Sequence, residues 1–195
     1  MSRLAVFASG SGSNFQALMN AVEEKSLQAD ISLLVCDQPE ARVIERAHYH
    51  HVPCFAFSAK EYQSKEAFEN EILKKLREYE IDCVILAGYM RLIGPTLLEA
   101  YGGKIINIHP SLLPSFPGKD AVGQALEAGV KVTGVTIHYV DAGMDTGPII
   151  AQEAVNVSDV DTRESLQKKI QQVEHRLYVD TVNEIVQYMK EKTVK

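Results

Sequence analysis

The chain has 195 residues, a formal net charge of −6 and 46% hydrophobic residues. A chain of this length buries enough surface to fold without a disulfide or metal staple. The acidic balance argues against a general nucleic-acid surface, although it leaves room for a local cationic pocket. No apolar run approaches the roughly 18 residues of a membrane-spanning helix. We therefore expect one domain over residues 1–195, with neither nucleic acid nor membrane as a partner.

The three cysteines, Cys36, Cys54 and Cys83, each lie in an apolar run and form no C-x-x-C pair. An odd number of such residues favours buried, reduced thiols, which are typical of a reducing compartment. The first apolar run, residues 4–8, is too short for the core of a signal peptide. These features predict a cytoplasmic protein.

Short apolar runs alternate with helical periodicity over the first two-thirds of the chain. Strands are predicted at residues 4–8, 31–36, 53–57, 81–87 and 104–108, and helices at 14–24, 41–48, 64–79 and after Pro95. On the helix at 64–79 the predicted inner face consists of Phe68, Ile72, Leu73 and Leu76. This βαβ alternation predicts an α/β fold, a mostly parallel twisted sheet with helices on both faces, Rossmann-like.

The pattern changes in the last third of the chain. A helix is predicted at residues 121–128 and a long amphipathic helix at 162–191, with strands at 132–140 and 149–157 between them. The glycine-rich connection 141–148 is too short for a helical crossover. The two strands should therefore form an antiparallel pair near the C-terminus.

A loop of small residues, S-G-S-G-S-N at 9–14, joins the first strand to the first helix. Such a loop lets backbone N–H groups approach an anion at a helix N-terminus, and Asn14 either caps this helix or lies in its first turn. The spacing fits neither G-x-G-x-x-G nor a P-loop, so a phosphate monoester fits better than a dinucleotide or triphosphate. An ordinary tight βα turn is the alternative.

Two polar residues stand at the end of the predicted strand 104–108. His109 follows it directly, where ligands collect in open α/β sheets, and Asn107 faces the same side because strand side chains alternate. Asp145 comes from the later glycine-rich loop, and a carboxylate beside His109 would stabilise an imidazolium. Asn107 and a cationic His109 could then stabilise an oxyanion. A structural histidine and an aspartate of a simple turn remain the alternative.

Other catalytic arrangements fit less well. No G-x-S-x-G elbow supports a Ser-His-Asp hydrolase. His48, His50 and His51 are clustered without a zinc-type spacing or a nearby cysteine pair, so we predict a solvated surface cluster and no metal site.

Three segments carry a resemblance to a known family: I-N-I-H-P-S-L-L-P-S-F-P-G at 106–118, S-G-S-G-S-N at 9–14 and D-A-G-M-D-T-G-P-I at 141–149. With A-G-Y-M-R-L at 87–92, the chain closely resembles the phosphoribosylglycinamide formyltransferases over essentially its whole length. These are the folate-dependent transformylases of purine synthesis. The resemblance implies 10-formyltetrahydrofolate as co-substrate, a phosphoribosylglycinamide acceptor, no metal, and a monomer or homodimer acting on small molecules.

The resemblance also implies roles for individual residues. The catalytic residues are Asn107, His109 and Asp145. The acceptor would be bound by Gly12, Ser13, Asn14 and Glu174. The folate would be bound by Lys65, Met90, Arg91, Leu92, Ile93, Asn107, Ala142, Gly143 and Met144.

The sequence departs from the family pattern at two places. Lys119-Asp120-Ala121-Val122 follows Gly118 where a histidine-containing stretch is common, so no histidine there can have a role. Lys65 stands where an arginine is often found, and lysine keeps the charge without the bidentate fork.

Related and unrelated functions remain as alternatives. Methionyl-tRNA formyltransferases carry a further tRNA-binding domain, formyltetrahydrofolate hydrolases carry an N-terminal regulatory domain, and sugar-nucleotide formyltransferases are longer; we expect none of these features here. A non-catalytic binding module would not require Asn107, His109 and Asp145 together. In a dinucleotide enzyme Asp37 would be the acidic residue after the second strand, but the third glycine of the loop is missing.

Overall fold

Seven strands form one sheet in the computed structural model, which describes residues 1–193. They are β1 Ser2–Ala8, β2 Ala29–Cys36, β3 Cys54–Ala56, β4 Cys83–Leu86, β5 Ile105–His109, β6 Val132–Tyr139 and β7 Ile149–Asn156. Their order across the sheet is β3-β2-β1-β4-β5-β6-β7. The first five strands are parallel, whereas β6 is antiparallel to both β5 and β7. The predicted antiparallel pair is confirmed.

Six α-helices within the described residues cover this sheet. They are α1 Ser13–Glu23, α2 Arg42–Tyr49, α3 Lys65–Glu78, α4 Pro95–Tyr101, α5 Ala121–Glu127 and α6 Arg163–Thr193. One additional 3₁₀ turn at Ala59–Glu61 was not predicted. The α/β prediction is confirmed, with element ends shifted by at most two residues. The last two residues of the predicted domain, 194 and 195, lie outside the described part of the chain.

Apolar side chains pack on both faces of the sheet, as the continuous hydrophobic strands predict. On one face Val6 and Ile85 join a core with Phe15 of α1 and Tyr178 of α6. The opposite face packs against α3 and α4 and includes the predicted inner residues of α3. Glu69 of α3 is also buried, at 2% exposure, which the charged sequence of this helix did not predict.

The start of α1 differs from one of the two predictions made for it. Gly12 is the N-cap residue, with a left-handed φ of 73°, so the prediction that Asn14 caps the helix is wrong. Asn14 lies in the first turn, as the other prediction had it. A Cβ at position 12 would lie 2.5 Å from Cγ2 of Val43, so both the backbone conformation and the space require glycine.

The order in which strands are added to the sheet reverses at β1. The strands β2 and β3 lie on one side of β1, and the strands from β4 to β7 lie on the other. After β1 the chain enters α1 on one face, and after β4 it enters α4 on the other. The two connections separate at the carboxyl ends of these strands and leave a crevice, which is where ligands bind in open α/β sheets.

The cysteines are free thiols. Cys36 and Cys83 are buried as predicted, while Cys54 is half-buried. Burial raises the pKa of the Cys83 thiol to about 12, which keeps it protonated and unreactive. No helix within residues 1–193 has the length and apolar character needed to cross a membrane.

Tyr178 ties α6 to the centre of the sheet. Its hydroxyl donates to the carbonyl oxygen of Leu86 at 2.7 Å and lies 3.2 Å from that of Ile106. The side chain is 1% exposed, so water cannot replace these bonds. We expect Tyr178→Phe to lower the free energy of unfolding by about 1–3 kcal/mol, because a buried acceptor loses its donor.

Urea unfolding of the purified variants measures this effect. Tyr188→Phe on the same helix is the matched control, since that ring is 55% exposed, and we expect a change within about 0.5 kcal/mol. Equal effects of the two substitutions would contradict the role of the buried hydroxyl.

Candidate active site

A cleft of about 610 Å³ opens at the carboxyl ends of the parallel strands. Its lining includes residues 10–14, 86–93, 107–110, 118–122 and 143–145, together with side chains from α6. The predicted glycine loop and the predicted Asn–His–Asp group therefore share one cleft. This is the position that the strand order predicts for a ligand.

Strand alternation presents Asn107 and His109 away from the helical core that receives Ile106 and Ile108. His109 is 5% exposed, and its Nε2 lies 2.8 Å from the carbonyl oxygen of Phe116. A carbonyl can only accept, so Nε2 carries a proton. The other ring nitrogen, Nδ1, faces Asp145 with 3.4 Å between Nδ1 and Oδ2. Both ring nitrogens of His109 therefore face an acceptor oxygen.

Asp145 reaches this group from the β6–β7 loop through a left-handed backbone conformation, with φ 56°. Its Oδ2 accepts the N–H of Gly118 at 2.8 Å. Burial raises the pKa of the Asp145 carboxyl, but contacts with His138, the Gly118 N–H and the charge of His109 outweigh it. The resulting pKa is below its ordinary value, so this side chain is a carboxylate near neutral pH.

His138 lies in the same group as Asn107, His109 and Asp145, although the sequence did not predict it there. It lies opposite Asn107 in the β5–β6 register, and its Nε2 is 3.1 Å from Nδ2 of Asn107. Nδ1 of His138 contacts the carbonyl oxygen of Tyr139 at 2.8 Å, so Nδ1 carries a proton. His138 Nε2 also lies 3.7 Å from Oδ1 of Asp145. The only sequence signal was a histidine inside an apolar strand.

A buried hydrogen-bond network fixes the loop that follows His109. The hydroxyl of Thr136 donates to the carbonyl oxygen of Ser111 and accepts from the N–H of Leu113, at 2.7 and 3.0 Å. Gln152 donates both to the Leu113 carbonyl oxygen and to the Thr136 hydroxyl. The network holds Ser111 and Leu113, and the Ser111 hydroxyl lies 3.3 Å from the Phe116 carbonyl oxygen that His109 contacts.

At the other end of the cleft, the N-terminus of α1 presents Gly12, Ser13 and Asn14. Orphan backbone N–H groups and the helix dipole favour an anion here. Asn14 is buried and hydrogen-bonds Glu174 of α6, while its Oδ1 has no hydrogen-bond partner among residues 1–193. An acceptor left open beside the cleft is available to a ligand donor.

Burial raises the pKa of Glu174 from 4.5 to about 7, against a lowering by the hydrogen bond from Asn14. As the pH rises from 4.5 to about 7, Glu174 loses its proton in the unfolded chain but keeps it in the folded protein. The free energy of unfolding therefore falls as the pH rises through this window. We expect unfolding in urea to show wild type losing about 3 kcal/mol, relative to Glu174→Gln, between pH 4 and pH 8. Glu184→Gln, an exposed change on the same helix, should not alter this pH dependence. Parallel curves for wild type and Glu174→Gln would contradict the prediction.

The loop after β4 forms another wall of the cleft. Met90, Arg91, Leu92 and Ile93 all line it, and Met90 and Leu92 are 67% and 51% exposed. Gly143 and Met144 line it from the β6–β7 loop, whereas Ala142 is not among the lining residues. Lys65 also lies outside the lining, at the start of α3 beside Gly94 and Glu69. Lys119, Arg163 and Gln171 also line the cleft, although the sequence predicted no role for them.

The histidine cluster differs from its prediction at one residue. His48 and His51 are exposed, but the side chain of His50 is only 3% exposed. Its ring nitrogens contact Glu23 and Gln16, each at 2.8 Å, because the turn after α2 folds against α1. The prediction of a solvated cluster is therefore wrong for His50. Residues 1–193 contain no group of three or more histidine, cysteine or acidic side chains suited to a metal ion.

Comparison with known proteins matches residues 2–182 to the family model described as formyl transferase. The chain belongs to the formyl transferase family. It is 57% identical over 186 residues to the phosphoribosylglycinamide formyltransferase of Bacillus subtilis, which covers 95% of each chain. The family prediction from the sequence is confirmed.

Solved structures agree with this assignment. The glycinamide ribonucleotide transformylase 1 of Geobacillus kaustophilus is 61% identical, with a TM-score of 0.93 over 95% of this chain and 98% of that one. The phosphoribosylglycinamide formyltransferase of Bacillus halodurans is 57% identical, with a TM-score of 0.93 over 95% of both chains. The mostly parallel sheet with its antiparallel C-terminal strands is thus the fold of these formyltransferases.

Proposed function

We propose that Asn107, His109 and Asp145 catalyse formyl transfer in the cleft at the end of β5. The reaction moves the formyl group of 10-formyltetrahydrofolate to the amine of 5′-phosphoribosylglycinamide, in purine biosynthesis, and releases tetrahydrofolate. The residue assignment is supported by the convergence of these three side chains, between the N-terminus of α1 and an exposed loop after β4.

The acceptor amine attacks the formyl carbon directly and forms a tetrahedral intermediate. Its oxyanion is stabilised by the amide N–H of Asn107 and by the charge of His109. The contact between Asn107 and His138 orients the amide, so that its second N–H is free for the substrate. The carbon–nitrogen bond to the folate breaks once that nitrogen has gained a proton and the amine has lost one.

Asp145 balances the charge of His109 during this reaction. The 3.4 Å separation of Nδ1 and Oδ2 is longer than a normal hydrogen bond, so the Nδ1 proton is available to an incoming oxygen or nitrogen. His109 can therefore act as the proton donor, and Asp145, with a bridging water, can relay the proton.

The two ends of the cleft fit the two substrates. Gly12, Ser13 and Asn14 bind the acceptor's phosphate at the N-terminus of α1, and Glu174 with the open Oδ1 of Asn14 binds its glycinamide part. The backbone of residues 90–93 reads the pterin, with Asn107, Gly143 and Met144 opposite. Lys65 and Ala142 are weaker candidates for folate contacts, because neither lines the cleft.

The decisive assay follows tetrahydrofolate release from 10-formyltetrahydrofolate with and without phosphoribosylglycinamide. Release that depends on the acceptor is the expected result. Equal release without acceptor would indicate a hydrolase instead and would contradict the proposed transfer.

We further propose that residues 1–195 act as one catalytic domain on small molecules, as a monomer or homodimer. The single sheet that runs through the described residues supports this. A cytoplasmic location is supported by the three free thiols.

A further inference from the structure

Asp37 follows β2 at the position where dinucleotide enzymes place a ribose-binding acid. Its side chain is 2% exposed, and both carboxylate oxygens are occupied within the protein. Oδ1 accepts the hydroxyl of Ser9 at 2.5 Å, and Oδ2 accepts Nε of Arg91 at 2.7 Å. This carboxylate is an internal connection and is not open to a ligand.

The connection extends to the main chain of the loop that lines the cleft. The Ser9 hydroxyl, held by Asp37, accepts the N–H of Met90 at 2.9 Å. The guanidinium of Arg91 lies over the ring of Phe68, 5.7 Å from its centroid. Asp37 therefore fixes two successive residues of the loop, one through its backbone and one through its side chain.

We propose that Asp37 is a positioning residue for the folate side of the cleft. It holds residues 90–92 in the conformation that presents their backbone to the pterin. The buried position makes the connection stiff, because a desolvated carboxylate without its donors is strongly unfavourable. The assignment of the folate to this loop rests on the proposed function.

The loop on the acceptor side of the cleft is held by other contacts, so we expect the loss of Asp37 to weaken folate binding more than acceptor binding. The carbonyl oxygen of Gly10 accepts the N–H of Val43 at 3.1 Å, and that of Ser11 accepts Nε of Arg46 at 2.8 Å. Both supports come from α2 and do not involve Asp37. Loss of Asp37 should therefore disturb the folate loop much more than the phosphate loop.

Asp37→Asn tests this role, because an amide keeps the volume but removes the charge that holds Arg91. We expect the KM for 10-formyltetrahydrofolate and the Kd for tetrahydrofolate, measured by calorimetry, each to rise about 10-fold, the factor typical of one charge-assisted hydrogen bond. The acceptor KM and kcat should stay within about twofold of wild type. Asp30→Asn, an exposed change on β2, is the matched control and should change none of these values.

Ser9→Ala provides a second test if Asp37→Asn does not fold. It removes the bridge to the Met90 N–H and should raise the same KM and Kd several-fold. In the double variant each of these constants should rise by less than the product of the two single increases, because both residues act through one connection. An unchanged folate KM and Kd in both folded variants would overturn the proposal, and so would equal losses for both substrates. The calorimetric arm is independent of turnover, so it tests Asp37 even if acceptor-dependent transfer is absent.

Discussion

His109→Ala should lower kcat by about 100- to 1,000-fold, the usual cost of removing one oxyanion-stabilising donor. The ring lies between two acceptors, the Phe116 carbonyl oxygen and the Asp145 carboxylate, and alanine supplies no donor at this position. Steady-state rates with both substrates measure the effect. KM values should change far less than kcat, because the lost interaction is made mainly in the transition state.

His48→Ala is the matched control, since this histidine is exposed on α2, outside the cleft lining. We expect it to retain wild-type turnover. His109→Ala removes one donor to the Phe116 carbonyl oxygen, which keeps only the 3.3 Å contact with the Ser111 hydroxyl. We expect a loss of about 1 kcal/mol of stability, so circular dichroism should confirm folding at the assay temperature. Near-normal turnover of folded His109→Ala would contradict a catalytic role for this residue.

The placement of Asn107 and His109 could be predicted because it depends on local rules. Side chains two residues apart on a strand face the same side, and a strand's carboxyl end is the usual ligand position in this sheet type. The position of the glycine loop could be predicted equally well, since small residues between a strand and a helical period indicate a βα turn at the helix N-terminus. Both predictions needed only neighbours in the sequence.

His138 and Asp37 could not be recognised in this way. His138 meets Asn107 only because β6 pairs antiparallel with β5 in one register, and nothing in the β6 sequence fixes that register. Asp37 was considered only as the acid of a poorly fitting dinucleotide site, and its bonds to Ser9 and Arg91 are visible only in the folded chain. These roles follow from tertiary contacts between segments far apart in the chain.

The family resemblance identified the reaction, which sequence patterns alone did not, but it did not predict the geometry of individual contacts. Lys65 was assigned to the folate from its place in the pattern, yet its side chain lies beside Gly94, outside the cleft lining. The Asp145 loop was predicted to bring a carboxylate beside His109. How it does so depends on the β6–β7 pairing, and its hold on Gly118 emerged only in the structure.

Asp145→Ala should lose at least about 100-fold in kcat, because a positive charge on the buried His109 ring would then lack its counter-charge. Asp145→Asn separates charge from hydrogen bonding: its amide oxygen can still accept the Gly118 N–H, but it cannot balance an imidazolium. We therefore expect the asparagine variant to remain folded and to lose nearly as much turnover as the alanine variant. Asp159→Asn, at an 83% exposed side chain, is the control and should leave kcat unchanged.

The pH dependence sharpens this prediction. Because the pKa of Asp145 is held below its ordinary value of 3.8, its carboxylate stays charged throughout the range from pH 5 to 8. Any change of wild-type turnover in that range must come from other groups, and Asp145→Asn should be slow at every pH within it. An asparagine variant that recovers wild-type kcat at any of these pH values would show that the negative charge at position 145 is not what His109 requires.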